Sequence, residues 1–420
     1  MVKNRLNETS RSRGSSKAKF NRREFCKSLV KSNLAGSGIY GTLGSLSLAN
    51  AATKESDFND YKALVCVFLA GGNDSFNTLL ARSTAEYNIY RQSRLSLAIE
   101  QQDILAINPL ISDGVDYGFN PQLIDLQSLF NTGDLACLAN VGTLISPTTR
   151  DQIFNNSAIL PPQLFSHSDQ QDFWRSLQLP SNERTGWAGR ASDLLMDTQS
   201  PLPMNISLSG TDLWQRGAND SAYGISASGV SRLFAIDDGN PANDRRTQLF
   251  NALLEDANQT IYSRAYRDVQ QRSMSLASLL DNALTSQVPF NTSFPSDRLG
   301  ASLNMITQLI NSREQFGRKR QIFYVIMGGF DTHANQAIEH PQLMQSLNNN
   351  LAAFNQAMKE LGLNDSVTLF TQSEFGRTLS VNGDGTDHGW GGHQFIMGGS
   401  VIGQNIYGTM PNLTLNGPDD

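Results

Sequence analysis

No stretch of the chain approaches the ~18 consecutive apolar residues that a membrane-crossing helix needs, so no membrane span is expected in the mature protein. Cysteine is scarce too, with three in 420 residues. Cys26 falls in a basic leader, while Cys66 and Cys137 each sit inside an apolar run. Two reduced core thiols are therefore expected, not a disulfide framework. Basic residues are sparse beyond the leader. Residues 1–51 hold ten of the 33 Lys and Arg but two of the 39 Asp and Glu, which leaves 23 against 37, a net of −14. A chain that acidic lacks the basic grooves that phosphate backbones require, which argues against nucleic acid as a partner. Metal ions could still supply local positive charge.

The leader has its own organisation. Residues 21–27 read Asn-Arg-Arg-Glu-Phe-Cys-Lys, a weakly apolar Gly/Ser-rich stretch follows from Ser32 to Leu48, and Ala49-Asn50-Ala51 closes it as an Ala-x-Ala cleavage site. Arg22, Arg23, Phe25 and Lys27 resemble the twin-arginine export signal. That resemblance implies the twin-arginine export machinery of bacteria as a partner and a periplasmic or extracellular destination. Residues 1–51 are set apart from the fold accordingly.

With 39% hydrophobic and 17% charged residues, the remainder can bury a large core. Ala63–Leu69 is a continuous apolar run that stops at Gly71-Gly72, as a buried parallel strand does. Leu135–Val141, Met204–Leu208, Ile322–Met327 and Val367–Thr371 have the same character. Helical spacing over Pro121–Phe130, Ser168–Leu177 and Leu343–Leu361 separates them. Strands alternating with helices predict an α/β fold, a parallel or mixed sheet covered on both faces. Residues 246–315 hold no good strand and read as a helical insertion or as an outer layer of the same domain.

Ligands of open α/β sheets bind beyond the carboxyl ends of the strands. There the chain places Gly71-Gly72-Asn73-Asp74, then Gly328-Gly329-Phe330-Asp331-Thr332-His333, then Ser373-Glu374-Phe375-Gly376-Arg377. A further Gly-rich loop carries Asp387-His388 and His393. The chain has five histidines, and four of them (His167, His333, His388, His393) lie in such loops. Oxygen and imidazole donors together suit Zn, Mn, Mg or Ca. Asp331 and His333 share one face if the segment is extended. Alternatives stand beside each: Asp74 as a helix N-cap, Asp387-His388 as turn chemistry, Glu374 and Arg377 as a local ion pair.

Those motifs, with Thr185-Gly186-Trp187 and Gly189-Arg190, resemble the domain-of-unknown-function family numbered 1501, from about residue 61 to 420. The family is similar in layout to the alkaline phosphatase and sulfatase superfamily, which implies a three-layer α/β/α sandwich with a mixed, mostly parallel sheet and one or two divalent metal ions. By position the resemblance implies Asp74, Asp331, His333, Glu374 and His388 as metal ligands, with Asp387 and His393 as further contributors. It also implies another strand and helix beyond Asp420. Superfamily members place a hydroxyl nucleophile at a helix start, and Ser166-His167-Ser168-Asp169 offers one; Ser166 reads as nucleophile or as N-cap, with Ser75 and Thr78 as competitors. Arg190 reads as an oxyanion clamp or as a helix-surface arginine. The function implied is exported hydrolysis or transfer of a phosphate or sulfate ester. The alternative is a secreted binding or structural protein on the same metal-binding fold, with a cell-surface polymer as its partner.

Overall fold

The computed structural model describes residues 55, 58–177, 184–195, 202–230, 236, 240–256 and 260–420. The leader expected over residues 1–51 lies outside them. Thirteen strands are described: β1 (Lys62–Leu69), β2 (Leu79–Ala81), β3 (Leu105–Ile107), β4 (Tyr117–Phe119), β5 (Leu135–Gly142), β6 (Asn205–Ser207), β7 (Tyr223–Gly224), β8 (Arg320–Met327), β9 (Val367–Gln372), β10 (Gly376–Arg377), β11 (His388–Gly389), β12 (Gly391–Met397) and β13 (Ile406–Tyr407). The helices are α1 (Thr84–Arg94), α2 (Ile124–Asn131), α3 (Arg150–Phe154), α4 (His167–Ser176), α5 (Trp187–Leu195), α6 (Asp244–Asp256), α7 (Ile261–Ser286), α8 (Arg298–Asn311), α9 (Arg313–Phe316) and α10 (Gln336–Glu360). None of the described helices is long and apolar enough to cross a membrane.

Eight strands form one sheet in the order β13-β5-β12-β9-β1-β8-β6-β7. β1 runs parallel to β8 and β9 on either side of it, and only β12 runs against its neighbours. The expected mixed, mostly parallel sheet is therefore present. Its central strand is apolar throughout because both of its faces are covered. Val65, Val67 and Leu69 join the core under α2, α8 and α10. Cys66 and Phe68 face the other way, toward Trp174 of α4, Ala188 of α5 and Trp214. Period-2 alternation of a continuous apolar run between two helical layers is what makes the sandwich three-layered. Cys66 and Cys137 are buried and free, as expected.

The described part of residues 246–315 holds helices and no strand, with an irregular stretch over 287–297. Leu276 and Leu280 of α7 and Leu303, Ile306 and Leu309 of α8 pack into the main core. They thus build the outer layer on that face. At the start of α8, Asp297 accepts a hydrogen bond from the Gly300 amide at 2.7 Å, and the buried residues recur at helical spacing behind this cap.

The largest difference from an expected boundary is at helix α10. Helix α10 begins at Gln336, seven residues before Leu343, and carries Pro341 inside it. Proline in a helix interior removes a donor and crowds the preceding turn, so sequence reading starts the helix after it. Tertiary contacts hold the early turns instead: Gln336 bonds Asp74 and Thr386, and the buried His340 ring lies 3.2 Å from Asn73 Oδ1.

Beneath α4, the fully buried Trp214 packs on Trp187 at 5.1 Å, Tyr324 at 5.5 Å and Trp174 at 6.0 Å. Aromatic pairs of this kind contribute roughly 0.5–1.5 kcal/mol each beyond their burial. They fix the helix whose first residue is His167.

Candidate metal centre

The three central parallel strands end side by side at Leu69, Met327 and Gln372, and the loops beyond them converge. After β1, the Gly71 amide donates to Glu374 Oε1 at 3.0 Å and Oε2 at 3.2 Å. Gly71 has φ +122°, and a Cβ there would lie 2.3 Å from the Asp331 amide nitrogen. Only glycine lets the first loop come this close to the second. Gly71→Ala is expected to displace Asp331, costing about 3 kcal/mol or more in strain and overlap. Urea unfolding would register that loss, and an unchanged midpoint would show that the two backbones need not approach so closely.

Asp331 is the hub. His333 Nε2 lies 3.0 Å from its Oδ1, His388 Nε2 3.1 Å from the same atom, and His167 Nε2 3.4 Å from Oδ2. His333 Nε2 and His388 Nε2 are themselves 3.0 Å apart. The 331–333 segment is a tight turn, not an extended strand, with the His333 amide donating to the Asp331 carbonyl at 3.1 Å. The turn brings both side chains to one point, where an extended segment would have set them side by side.

The far side of each imidazole decides what the near side can be. His388 Nδ1 faces the Phe165 carbonyl at 2.7 Å, His333 Nδ1 faces Asp387 Oδ1 at 3.1 Å, and His167 Nδ1 faces Glu374 Oε1 at 2.9 Å. These oxygens accept only, so Nδ1 carries the hydrogen in all three rings. In neutral rings each Nε2 is then a bare lone pair, and the three point at a carboxylate. Lone pairs gathered in this way repel unless a cation lies among them. A tetrahedral ion with bonds of 2.0–2.1 Å sets its donors about 3.3 Å apart, close to the 3.0–3.4 Å between Asp331 and each Nε2, while the donors of His167, Asp331 and His388 lie within 4.8 Å of one another. The donor set fits a divalent ion such as zinc, with the outer hydrogen bonds fixing each ring's tautomer.

Arg377 closes the site from below. Its side chain is fully buried, and Nη1 donates to Asp331 Oδ1 at 2.9 Å and to the Gly71 carbonyl at 3.3 Å. The two-stranded ribbon of β10 and β11 pairs Arg377 with His388, which aims that ring at Asp331. Burial tends to raise the Asp331 carboxyl, but the hydrogen bond from the Arg377 guanidinium holds it below the usual carboxylate range. Asp387 is likewise held low, first by Asn382 and also by His333. The Phe375 ring stacks on His388 at 4.4 Å and lies 4.8 Å from His167.

The sequence candidates therefore separate. Asp331, His333 and His388 come together. Glu374 stands one step behind, fully buried and holding His167, and Asp387 does the same for His333. Arg377 pairs with Asp331, and the local ion pair with Glu374 is not formed. Asp74 is outside the cluster: Oδ2 accepts from buried Arg94 and from Gln336, and Oδ1 has no partner among the described residues. His393 is also apart, its Nδ1 accepting from the Asn140 amide at 3.1 Å, and burial depresses it to about 4. Ser166 caps α4 in position, yet its hydroxyl donates to Asp169 Oδ2 at 2.6 Å. Arg190 is turned away, bonding the Thr185 and Ser176 carbonyls at 2.8 and 2.7 Å. Ser75 and Thr78 are buried, with Ser75 Oγ accepting from the His393 amide and Thr78 donating to the Asp74 carbonyl.

His167 was not among the ligands expected from sequence, although it completes the cluster with Asp331 and His388, their donor atoms all within 4.8 Å. The signal was its place among the four loop histidines, immediately after Ser166 at a helix start.

The family profile described as "Protein of unknown function (DUF1501)" matches residues 61–418. No curated protein is similar to the chain at a significant level. Among solved structures, the PsFucS1 sulfatase from Pseudoalteromonas sp. is similar at 9% identity and a TM-score of 0.33, over 89% of this chain and 69% of that one. The protein Ps i-CgsB, in complex with k-i-k-neocarrahexaose, is similar at 8% identity and a TM-score of 0.32, over 83% and 68%.

Proposed function

The chain belongs to the DUF1501 family, and from that premise we propose that it is an exported, metal-dependent hydrolase or transferase acting on a phosphate or sulfate ester. One observation carries this reading: three imidazoles and a carboxylate converge with their hydrogens committed to the outer side. His167, Asp331, His333 and His388 would hold one divalent ion, Zn, Mn, Mg or Ca. When bound, it supplies a Lewis acid beside the ester oxygens. Glu374 and Asp387 orient the ligand rings, and Arg377 fixes Asp331.

Ser166 is the proposed nucleophile. Its hydroxyl already donates to the Asp169 carboxylate, which can take the proton as Oγ bonds to phosphorus or sulfur. The bond to the leaving alcohol breaks in that step, and water or an acceptor alcohol later releases the group. Chain residues 166 and 167 thus set nucleophile and ligand next to each other. Arg190 has no part in this scheme, since its guanidinium secures two carbonyls at the start and end of neighbouring helices.

The test is hydrolysis of aryl phosphates and aryl sulfates by the full chain after loading with each ion in turn. Turnover is expected in at least one loaded form, abolished by a chelator, and reduced by about three orders of magnitude in Ser166→Ala. Metal uptake without turnover on any ester would replace this reading with the second one, a secreted binding protein that keeps the ion for structure. The engagement of the Ser166 hydroxyl with Asp169 instead of the cluster favours that second reading. In it, the cluster joins the start of α4, the 331–333 turn and β11 into one stapled unit, and its partner is a cell-surface polymer.

A further inference from the structure

Helix α4 carries two glutamines in succession with different partners. Gln170 is buried and donates to the Pro162 and Gln163 carbonyls at 3.1 and 3.2 Å, which ties the helix to the chain just before it. Gln171 donates instead from Nε2 to Glu374 Oε1 at 2.9 Å. The acceptor is the same oxygen that faces His167 Nδ1 at 2.9 Å and the Gly71 amide at 3.0 Å. His167 and Gln171 are four residues apart, so they share one face of α4. Their side chains converge on a single oxygen. That oxygen is itself fixed, because Glu374 is fully buried and its Oε2 also faces the Gly71 amide at 3.2 Å.

His167 needs such a hold. It is the first residue of α4, where helices fray, and its side chain is 35% exposed. Its Nε2 lies 3.4 Å from Asp331 Oδ2, the longest of the three contacts between Asp331 and the imidazoles. One hydrogen bond at Nδ1 fixes a point on the ring but leaves the start of the helix free to turn about it. A second bond, one helical turn on and to the same oxygen, removes that freedom. We propose that Gln171 is a positioning residue of the metal centre, one that sets the aim of His167 Nε2 through their shared acceptor and touches neither ion nor substrate. The assignment rests on the metal reading above. A helix-surface glutamine with a merely structural role would add one hydrogen bond to folding and nothing to the ion.

Zinc affinity of the full chain, measured by competition with a chelating dye, and the visible spectrum of the cobalt(II)-loaded chain test this without reference to turnover. Gln171→Met keeps the length of the side chain and loses the donor. Groups that orient a metal-binding ring change affinity 10–100-fold when replaced, and Gln171 acts at one further remove, so a loss of about tenfold is expected. The cobalt spectrum should shift toward that of His167→Ala, while unfolding of the metal-free chain stays near the parent. In a His167→Ala background, Gln171→Met should cost no further affinity, since a residue that acts through His167 then has nothing left to position. Unchanged zinc affinity in Gln171→Met, or the same loss with and without His167, would overturn the assignment and leave the metal centre standing. A parent chain that takes up no ion would overturn the metal reading itself, and this assignment with it.

Discussion

Asp331→Asn is expected to empty the metal site while leaving the fold intact. The amide oxygen can still accept from Arg377, whose buried guanidinium would otherwise be stranded, so the variant should unfold within about 1 kcal/mol of the parent. What it loses is the negative charge that holds a cation among the three imidazole lone pairs. Replacing groups that merely orient a ligand costs 10–100-fold in metal affinity, so loss of the shared ligand itself should exceed about a hundredfold. Elemental analysis after loading and gel filtration reads this directly: about one equivalent of zinc or manganese in the parent, next to none in Asp331→Asn. His167→Ala should give an intermediate loss, because His333 and His388 remain on Asp331 at 3.0 and 3.1 Å. Equal metal content in parent and Asp331→Asn would sink the whole assignment, and with it the ester chemistry proposed for Ser166.

Much of the frame was legible because continuous apolar runs have few other uses in a chain with so few charges. The run at Ala63–Leu69 had to be buried on both faces, and it sits in the centre of the sheet with parallel neighbours on each side. From there, the rule that ligands collect beyond strand ends located Asp331, His333 and Glu374 in one region. It could not rank them. Which carboxylate touches an ion and which stands behind a histidine depends on a few ångströms of loop, set by contacts such as Gly71 against Asp331. His167 escaped because it arrives from a helix start far along the chain and is aimed by Glu374, 207 residues away. Proximity in sequence could not supply that pairing.

Asp74 shows the same limit at its strongest, and it supports the second large prediction. Position after the first strand suggests a ligand, yet its side chain is fully buried and paired with Arg94, also fully buried. Arg94 ends the helix Thr84–Arg94, whose other residues are mostly polar, so nothing in the local pattern marks it as an interior residue. The pair is embedded in a polar network: Arg94 also donates to the Thr378 carbonyl at 2.8 Å, and Gln336 links Asp74 to Thr386, which bonds Arg377. Arg94→Met therefore strands a carboxylate with one oxygen already unpartnered, and it should destabilise the protein by about 3–5 kcal/mol. The double variant Arg94→Met with Asp74→Leu removes both charges and should recover most of that loss, since the cost lies in the orphaned charge and not in the missing attraction. Denaturant unfolding of the three proteins measures the recovery. Metal content of the double variant then decides the role of Asp74. Retention near one equivalent fits a structural carboxylate that reaches Asp331 only through Gln336, Thr386 and Arg377. Loss of the ion from a folded double variant would return Asp74 to the ligand set that its position after β1 suggests.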